Sequence, residues 1–170
     1  MISYILAVIV GLLIIAADQI SKMIVASNMD LGGKSVKFIE GFMEFSYIYN
    51  EGGAWGLLSG KTWILVSVTV IAMLICVALL FRHGTRSKLM FWAVTLILSG
   101  GIGNMIDRVF RDGKVIDFLH FQFIDFPVFN IADIAVCIGT GLLFLYFIMD
   151  TIKDLRARKK NASDKENGEV

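Results

Sequence analysis

The stretch TWILVSVTVIAMLICVALLF, residues 62–81, decides the fold class of this chain. It holds 20 consecutive residues without a charged side chain, which is the length that a helix needs to cross the hydrocarbon core of a bilayer. Inside lipid, every backbone polar group must be satisfied within the protein, and a helix does this within its own segment. The stretch is therefore predicted to be a transmembrane helix.

Three further apolar blocks have a similar length, and they cover residues 2–26, 89–106 and 131–150. The chain as a whole has 170 residues, 56% of them hydrophobic, and a single proline. Four spans use about half of such a chain, which leaves too little sequence for a separate soluble domain. We therefore expect an all-α integral membrane protein with one domain over residues 1–152.

The connection between the first two spans is not featureless. In FMEFSYIYN, residues 42–50, apolar and polar side chains alternate, which is typical of a strand. GGAWGLLSG follows, and its tryptophan favours a short segment at the membrane interface. The predicted fold is thus four transmembrane helices with an extracytoplasmic β-type or interfacial segment between helices 1 and 2. The phenylalanine-rich connection over residues 107–127 is also expected at the membrane surface.

Basic residues predict the orientation, because cytoplasmic loops are enriched in Lys and Arg. The turn between spans two and three and the C-terminal tail carry nine of them, and the other two connections carry six. Both termini are therefore expected in the cytoplasm, with residues 27–61 and 107–129 outside. The polar end of the chain, residues 153–170, is predicted to be a disordered cytoplasmic tail.

Ionisable and amide side chains within apolar spans are costly and mark functional or strongly paired positions. With alternating helix directions, those of spans one, three and four all fall near the outer leaflet. They are Asp18 and Lys22 near the end of span one, Asn104, Asp107 and Arg108 at the end of span three, and Asn130 and Asp133 at the start of span four.

Several of these residues have a purely structural interpretation. Asp18 and Lys22, four residues apart, are expected to neutralise each other as an ion pair on one helix face. Asn130 suits a helix N-cap, and Asp133 in the first turn suits the helix dipole. Asp117 stands in the apolar outer segment KVIDFLHF. Beside Asp133 it gains a chemical role, because two carboxylates in a dry site can share one proton.

Composition and motifs exclude other classes of function. A net charge of +1 gives no reason to expect a nucleic-acid partner, and no HExxH or GxSxG motif is present, which argues against a zinc protease or a serine hydrolase. Two alternatives remain open at this point. A small transporter or channel component would place acids near the middle of the bilayer, and a membrane assembly factor would use the carboxylates only for packing.

Four short boxes in this order resemble those of the lipoprotein signal peptidases, the type II signal peptidases of bacteria. They are DQISK at 18–22, NEGGAWG at 50–56, GNMIDR at 103–108 with VIDF at 115–118, and FNIAD at 129–133. Each box alone is weak, but together on a scaffold of four spans they are highly specific. One departure lies in the second box, where Gly53 replaces the first alanine of the common NxGAA pattern.

The resemblance implies an intramembrane aspartic endopeptidase without a metal or another cofactor. Its substrates would be diacylglyceryl-modified prolipoproteins, cut immediately before the lipidated cysteine. By motif position, Asp117 and Asp133 correspond to the catalytic pair. The residues that line the site and position the substrate would be Asn50, Asn104, Arg108 and Asn130, and Asp18 and Lys22 would be structural. The resemblance also implies the bacterial cytoplasmic membrane as location, membrane lipid and a lipidated prolipoprotein as partners, and globomycin-type compounds as inhibitors.

Overall fold

The four predicted spans are helices in the computed structural model, which describes residues 2–52, 60–83 and 87–168. Their bounds are α1, Ile2–Asn28; α2, Thr62–His83; α3, Lys88–Phe110; and α4, Ile131–Gly168. Within those described ranges, four helices are long and apolar enough to cross a membrane. The predicted fold class is confirmed.

Helix α3 is the centre of the bundle and α2 is its most lipid-exposed member. In the apolar 18-residue stretch of α3, half of the residues are buried against the rest of the chain, compared with 6% in the corresponding stretch of α2. Large apolar side chains such as Trp63, Leu74 and Phe144 lie mostly exposed on the outer helix faces. In a protein with lipid as its solvent these faces require no protein cover, because acyl chains are as apolar as leucine.

Glycines allow α3 to lie against its neighbours at backbone distance. A Cβ atom at Gly100 would collide with the carbonyl oxygen of Ala132 on α4, and one at Gly103 would lie 2.8 Å from the Oδ2 of Asp18 on α1. Close packing through small residues is a common way to join membrane helices. The third glycine of this stretch, Gly101, lies near Met73 only at ordinary contact distance.

A three-stranded antiparallel sheet, in the order β1-β2-β3, covers the end of the bundle where α1 and α3 finish and α4 begins. Its strands are β1, Val36–Ile39; β2, Met43–Asn50; and β3, Val115–Phe121. The alternating pattern predicted β2, whereas β1 and β3 were not expected. Strand β1 has only four residues, and the apolar run of β3 carries no two-residue period because its first four residues are buried.

The register of β2 against β3 places two polar side chains together. Asn50 is paired with Val115, and Ile48 is paired with Asp117. Residues two apart in a strand share a face, so Asn50 and Asp117 lie diagonally on the same face of the sheet. This contact joins residues 67 positions apart in the sequence.

The C-terminal tail differs from its prediction. Helix α4 continues through the polar stretch to Gly168, whereas the sequence predicted a disordered segment from residue 153. Lysine, arginine, alanine and leucine are good helix formers, and they follow a span that has already paid the cost of nucleation. The predicted interfacial segment GGAWGLLSG is a different case, because residues 53–59 lie outside the described part of the chain.

Candidate active site

The site is built on the first turn of α4. The side-chain oxygen of Asn130 accepts a hydrogen bond of 2.9 Å from the backbone N–H of Asp133, and the Asp133 carboxylate accepts one of 3.1 Å from the backbone N–H of Asn130. These reciprocal bonds form a capping box, which satisfies two N–H groups that the helix cannot use itself. The predicted N-cap is confirmed. It also fixes the position of the Asp133 carboxylate, which would be free on an ordinary helix face.

Asn130 connects this helix start to the sheet. Its side-chain N–H₂ group donates to the carboxylate of Asp117 at 2.6 Å and to the side-chain oxygen of Asn104 at 3.0 Å. Asn130 is completely buried, so these bonds are formed away from bulk water. One amide side chain therefore contacts Asp117 while its oxygen holds the backbone of Asp133, and the two predicted catalytic aspartates face one site.

Asp117 lies on β3 with only 1% of its surface exposed. The sequence placed it only in an apolar outer segment, and the structure holds it in the site as part of this strand. Asn50 on β2 donates to its second carboxylate oxygen at 2.8 Å. Burial and, to a smaller extent, the neighbouring charge of Asp133 together raise the pKa of Asp117 to about 7, against the opposing effect of these hydrogen bonds. A carboxyl group in this state can act as an acid near neutral pH.

Asn104 on α3 holds the other carboxylate. Its amide N–H₂ donates to Asp133 at 2.7 Å, and its oxygen accepts a hydrogen bond of 3.0 Å from the ammonium group of Lys22. The sequence predicted Asn104 among residues that line the site and position the substrate. The structure places its amide against Asp133, so its direct partner is a catalytic candidate.

An ionic cluster, formed by Asp18, Lys22, Asp107 and Arg111, lies behind Asn104. The ammonium group of Lys22 lies 2.8 Å from Asp18 and 3.0 Å from Asp107, and all three side chains are completely buried. Arg111, which is partly exposed, lies 3.4 Å from Asp107. The predicted pair of Asp18 and Lys22 is confirmed, and the structure adds Asp107 as a second acid.

Asp107 lies in the last turn of α3, where the sequence placed the polar end of span three, and it is completely buried. It accepts the backbone N–H of Ile116 at 3.0 Å, next to Asp117 on β3. Sequence reasoning gave Asp107 no role of its own, although its position between Asn104 and Arg108 in a polar helix end was a signal. In the structure it ties α3 to the strand that carries Asp117.

A cleft of about 230 Å³ opens onto the two aspartates. Its lining combines polar side chains with an apolar stretch, residues 126–129, which we call the apolar wall. The lining residues are Asn50, Asn104, Arg108, Val115, Asp117, Phe126, Pro127, Val128, Phe129 and Asp133. All but one of the residues predicted to line the site or to act in it therefore surround one cavity. The exception, Asn130, lies immediately behind it and supports both aspartates.

Arg108 is the cation of the cleft. Its Nε atom is buried and donates to no acceptor among the residues that the structure describes. A buried donor without a partner is costly, and a ligand carbonyl in the cleft would satisfy it. The phenylalanine-containing wall was not predicted from the sequence as part of the site, because phenylalanines in a surface connection are ordinary interfacial residues.

Comparisons with known proteins agree with the family resemblance of the sequence. Residues 10–149 match the family model described as signal peptidase II. A protein named lipoprotein signal peptidase from Bacillus pumilus (strain SAFR-032) is 41% identical over 144 residues, which cover 84% of this chain and 92% of that protein.

Two solved structures, both described as a bacterial membrane enzyme, resemble the fold at 33% identity. The structure at 2.3 Å resolution has a TM-score of 0.80 and matches over 85% of this chain and 88% of its own. The structure at 1.9 Å resolution has a TM-score of 0.77 and matches over 85% and 93%. The structural likeness therefore extends over most of the chain.

Proposed function

The chain belongs to the signal peptidase II family, membrane proteases that remove signal peptides from prolipoproteins, and from this premise we propose that Asp117 and Asp133 carry out the cleavage as an aspartic pair. The observation that carries the proposal is the contact of Asn130 with both of them at one cleft: its amide donates to Asp117, and its oxygen accepts the backbone N–H of Asp133.

In the proposed reaction the pair holds one proton. The ionised carboxylate takes a proton from a water molecule as that water attacks the scissile carbonyl carbon. Asp117, whose pKa is raised to about 7 by burial and by the charge of Asp133, donates its proton to the carbonyl oxygen. Collapse of the tetrahedral intermediate breaks the C–N bond, and the amine takes the proton that the first carboxylate received. A hydroxyl group of the intermediate returns its proton to Asp117 as the new carboxyl group forms. The pair then holds one proton again.

The remaining polar residues of the cleft have distinct roles in this proposal. Asn50 and Asn130 fix the Asp117 carboxyl group from opposite sides, and Asn104 fixes Asp133. Arg108 is left to bind a peptide carbonyl of the substrate, because its Nε donates to no group among the described residues. Asp18 and Lys22 belong to the ionic cluster behind the site.

The substrate is proposed to be a prolipoprotein that carries a diacylglyceryl group, cut immediately before the lipidated cysteine. The apolar wall of residues 126–129 supports this, since it belongs to the same cleft as the polar residues and includes phenylalanine rings in edge-to-face contact. Acyl chains can lie along such a surface without leaving an apolar environment. Globomycin-type compounds are proposed to bind in the same cleft.

The chain is a multi-pass membrane protein, and we propose that its active site faces the extracytoplasmic side of the bacterial cytoplasmic membrane. Both termini are then cytoplasmic, with residues 1–152 forming the peptidase domain and the helical end of α4 extending into the cytoplasm. A cysteine introduced at Lys37 should react with an impermeant thiol reagent added to intact spheroplasts. If a cysteine introduced at Arg158 were labelled and the one at Lys37 were not, the orientation would be the opposite of the proposed one.

The decisive experiment is incubation of the detergent-purified protein with a diacylglyceryl-modified prolipoprotein, followed by mass analysis. We expect a product that begins with the lipidated cysteine, and little cleavage of the same precursor without its lipid. The aspartic mechanism requires that a chelator leave the rate unchanged. Loss of activity on chelation, restored by zinc, would disprove that mechanism while leaving the substrate assignment intact.

A further inference from the structure

Lys22 makes more contacts than a partner for Asp18 requires. Its side chain is completely buried, and its ammonium group has three acceptors: Asp18 at 2.8 Å, Asp107 at 3.0 Å and the side-chain oxygen of Asn104 at 3.0 Å. An ammonium group has three hydrogens and no lone pair. All three donor positions of Lys22 are therefore used, and one of them is directed at a neutral amide.

The contact with Lys22 decides which way the Asn104 amide faces. Since Lys22 can only donate, the amide must present its oxygen to Lys22 and its N–H₂ group to the opposite side. On that side the N–H₂ group donates to the Asp133 carboxylate at 2.7 Å. A reversed amide would put its N–H₂ group against the ammonium ion and its oxygen against the carboxylate, and both contacts would be repulsive.

The same cluster also holds the backbone that carries Asp133. Asp18, the first partner of Lys22, accepts the backbone N–H of Ala132 at 3.0 Å. Ala132 directly precedes Asp133, and it is completely buried. The ionic cluster therefore reaches Asp133 by two routes, through the Asn104 side chain and through the first turn of α4.

We propose that Lys22 is a positioning residue of the peptidase reaction, which fixes the Asn104 amide and through it orients the Asp133 carboxylate. The inference rests on the proposed role of Asp133. It differs from the interpretation of the sequence, in which Lys22 only neutralises Asp18. A structural ion pair would need no contact with Asn104, whereas a positioning residue must act through it.

A double-mutant cycle tests this dependence. Lys22→Met, Asn104→Ala and the double variant are compared with wild type in single-turnover and steady-state cleavage of the lipidated precursor, with thermal unfolding recorded in parallel. Lys22→Met should lower kcat by about 10- to 100-fold and change KM by less than about threefold, as expected when an active-site group loses its orientation. In the Asn104→Ala background, the same change should lower kcat by less than about threefold, because the route is already broken.

Charge also enters the test, because several groups face Asp133. They are Asp18 and Lys22 on α1, Arg108 on α3 and Asp117 on β3. The positive charge of Lys22 lowers the pKa of Asp117. Its removal should therefore raise that pKa and move the basic limb of the pH–rate profile to higher pH. A residue that serves folding alone would leave the profile of the folded enzyme in place. As a control, Lys37→Met removes a lysine that pairs with Glu40 at 2.7 Å on the exposed sheet, and it should change neither kcat nor the profile.

Lys22→Met alone leaves two buried acids with one cation fewer, and it can fail to fold. If it does not fold, the cycle is run in the Asp18→Asn background. There Lys22→Met removes a lysine whose partner Asp18 is also gone, and the remaining acid, Asp107, keeps Arg111 as its partner. Equal losses of kcat from Lys22→Met with and without Asn104 would overturn the inference. So would an unchanged kcat and pH profile in a destabilised variant. If wild type cleaves no prolipoprotein, or Asp133→Asn retains its activity, it is the proposed function that fails.

Discussion

Two groups of buried carboxylates lie side by side in this molecule and are treated in opposite ways. Asp18 and Asp107 are both within 3.0 Å of the Lys22 ammonium group. Asp117 and Asp133 have no ion pair with any residue in the described ranges, and asparagine amides hold them instead. Both groups are built from the same residue type, and they are connected through Asn104.

The difference between the groups is a difference in available chemistry. A carboxylate matched by a buried cation stays ionised, and removal of its partner leaves a costly buried charge. A carboxylate held by neutral amides is fixed in position, but its charge is not cancelled. Two such groups at one cleft favour a single shared proton. The ionic cluster is thus suited to support, and the amide-held pair is suited to proton transfer.

The largest effect is expected from the amide-held pair. Asp117→Asn and Asp133→Asn should each lower turnover by about 1,000-fold, since either residue alone lacks its acid–base partner. The double variant should be scarcely worse, because the two act as one unit. The measurement is single-turnover cleavage of the lipidated precursor. Near-wild-type turnover of Asp117→Asn would remove it from the catalytic pair and make Asp107 the next acid to test.

Arg108 provides the next largest effect, on the substrate side of the pair. Arg108→Ala should raise KM by about 10- to 100-fold, which corresponds to the loss of one hydrogen bond from a charged donor, while part of kcat remains. Steady-state kinetics over a range of precursor concentrations measures the effects on KM and on kcat separately. Arg156→Ala, in the exposed end of α4, is the matched control. Loss of kcat alone, with KM unchanged, would contradict a role in substrate binding.

Asp117 should make both activity and stability depend on pH, because its pKa is raised. Its pKa is raised to about 7, so kcat/KM should fall above about pH 7 as Asp117 loses its proton, and fall again in acid when the pair takes up a second proton. Because the folded state holds this proton more tightly than the unfolded chain, Asp117 contributes stability at low pH that is lost between its ordinary pKa of 3.8 and about 7.

Asp117→Asn cannot lose that proton and should therefore unfold at a higher temperature than wild type above pH 7, with the difference shrinking at pH 5. Thermal unfolding of both proteins at several pH values measures this. A difference that does not vary with pH would mean that burial of Asp117 has no electrostatic cost in the folded protein.

The smallest effect on turnover is expected from Asp107, the acid of the ionic cluster that Lys22 and Arg111 share. Asp107→Asn removes one of the two buried acids near Lys22, and it should lower stability by a few kcal/mol while the folded fraction keeps its turnover within about threefold. Thermal unfolding and turnover per folded molecule are the two measurements. Glu40→Gln, in the exposed pair with Lys37, should cost less than about 1 kcal/mol. Loss of turnover at unchanged stability would place Asp107 in the catalytic pair.

Most of the fold could be predicted because the solvent dictates it. Each apolar block must span the bilayer as a helix, and the observed helices begin within two residues of the predicted ones. The transporter and assembly-factor alternatives stayed open at that level, since apolar spans do not identify a function. The family comparisons, and not the span pattern, decided between them.

The site was predictable as a set of residues but not as an arrangement. Alternation of helix direction brought the polar ends of α1, α3 and α4 to one side, and the family boxes named Asp117 and Asp133. Strand β3 was missed, because its apolar run is compatible with several conformations and its partner β2 lies about 70 residues away in the chain. Asp107 was missed as a partner of Lys22 because these two residues are also far apart in the sequence.

The sequence by itself determined which segments enter the membrane, which of its side chains are costly there, and that the costly ones gather at one end. Only the tertiary structure decided which acids contact a buried cation and which are held by neutral amides. That choice depends on contacts between groups far apart in the sequence, such as Lys22 with Asp107 and Asn130 with Asp117. The state of a buried carboxylate is set by the charge or amide within about 3 Å of it, and chain order alone does not determine that distance.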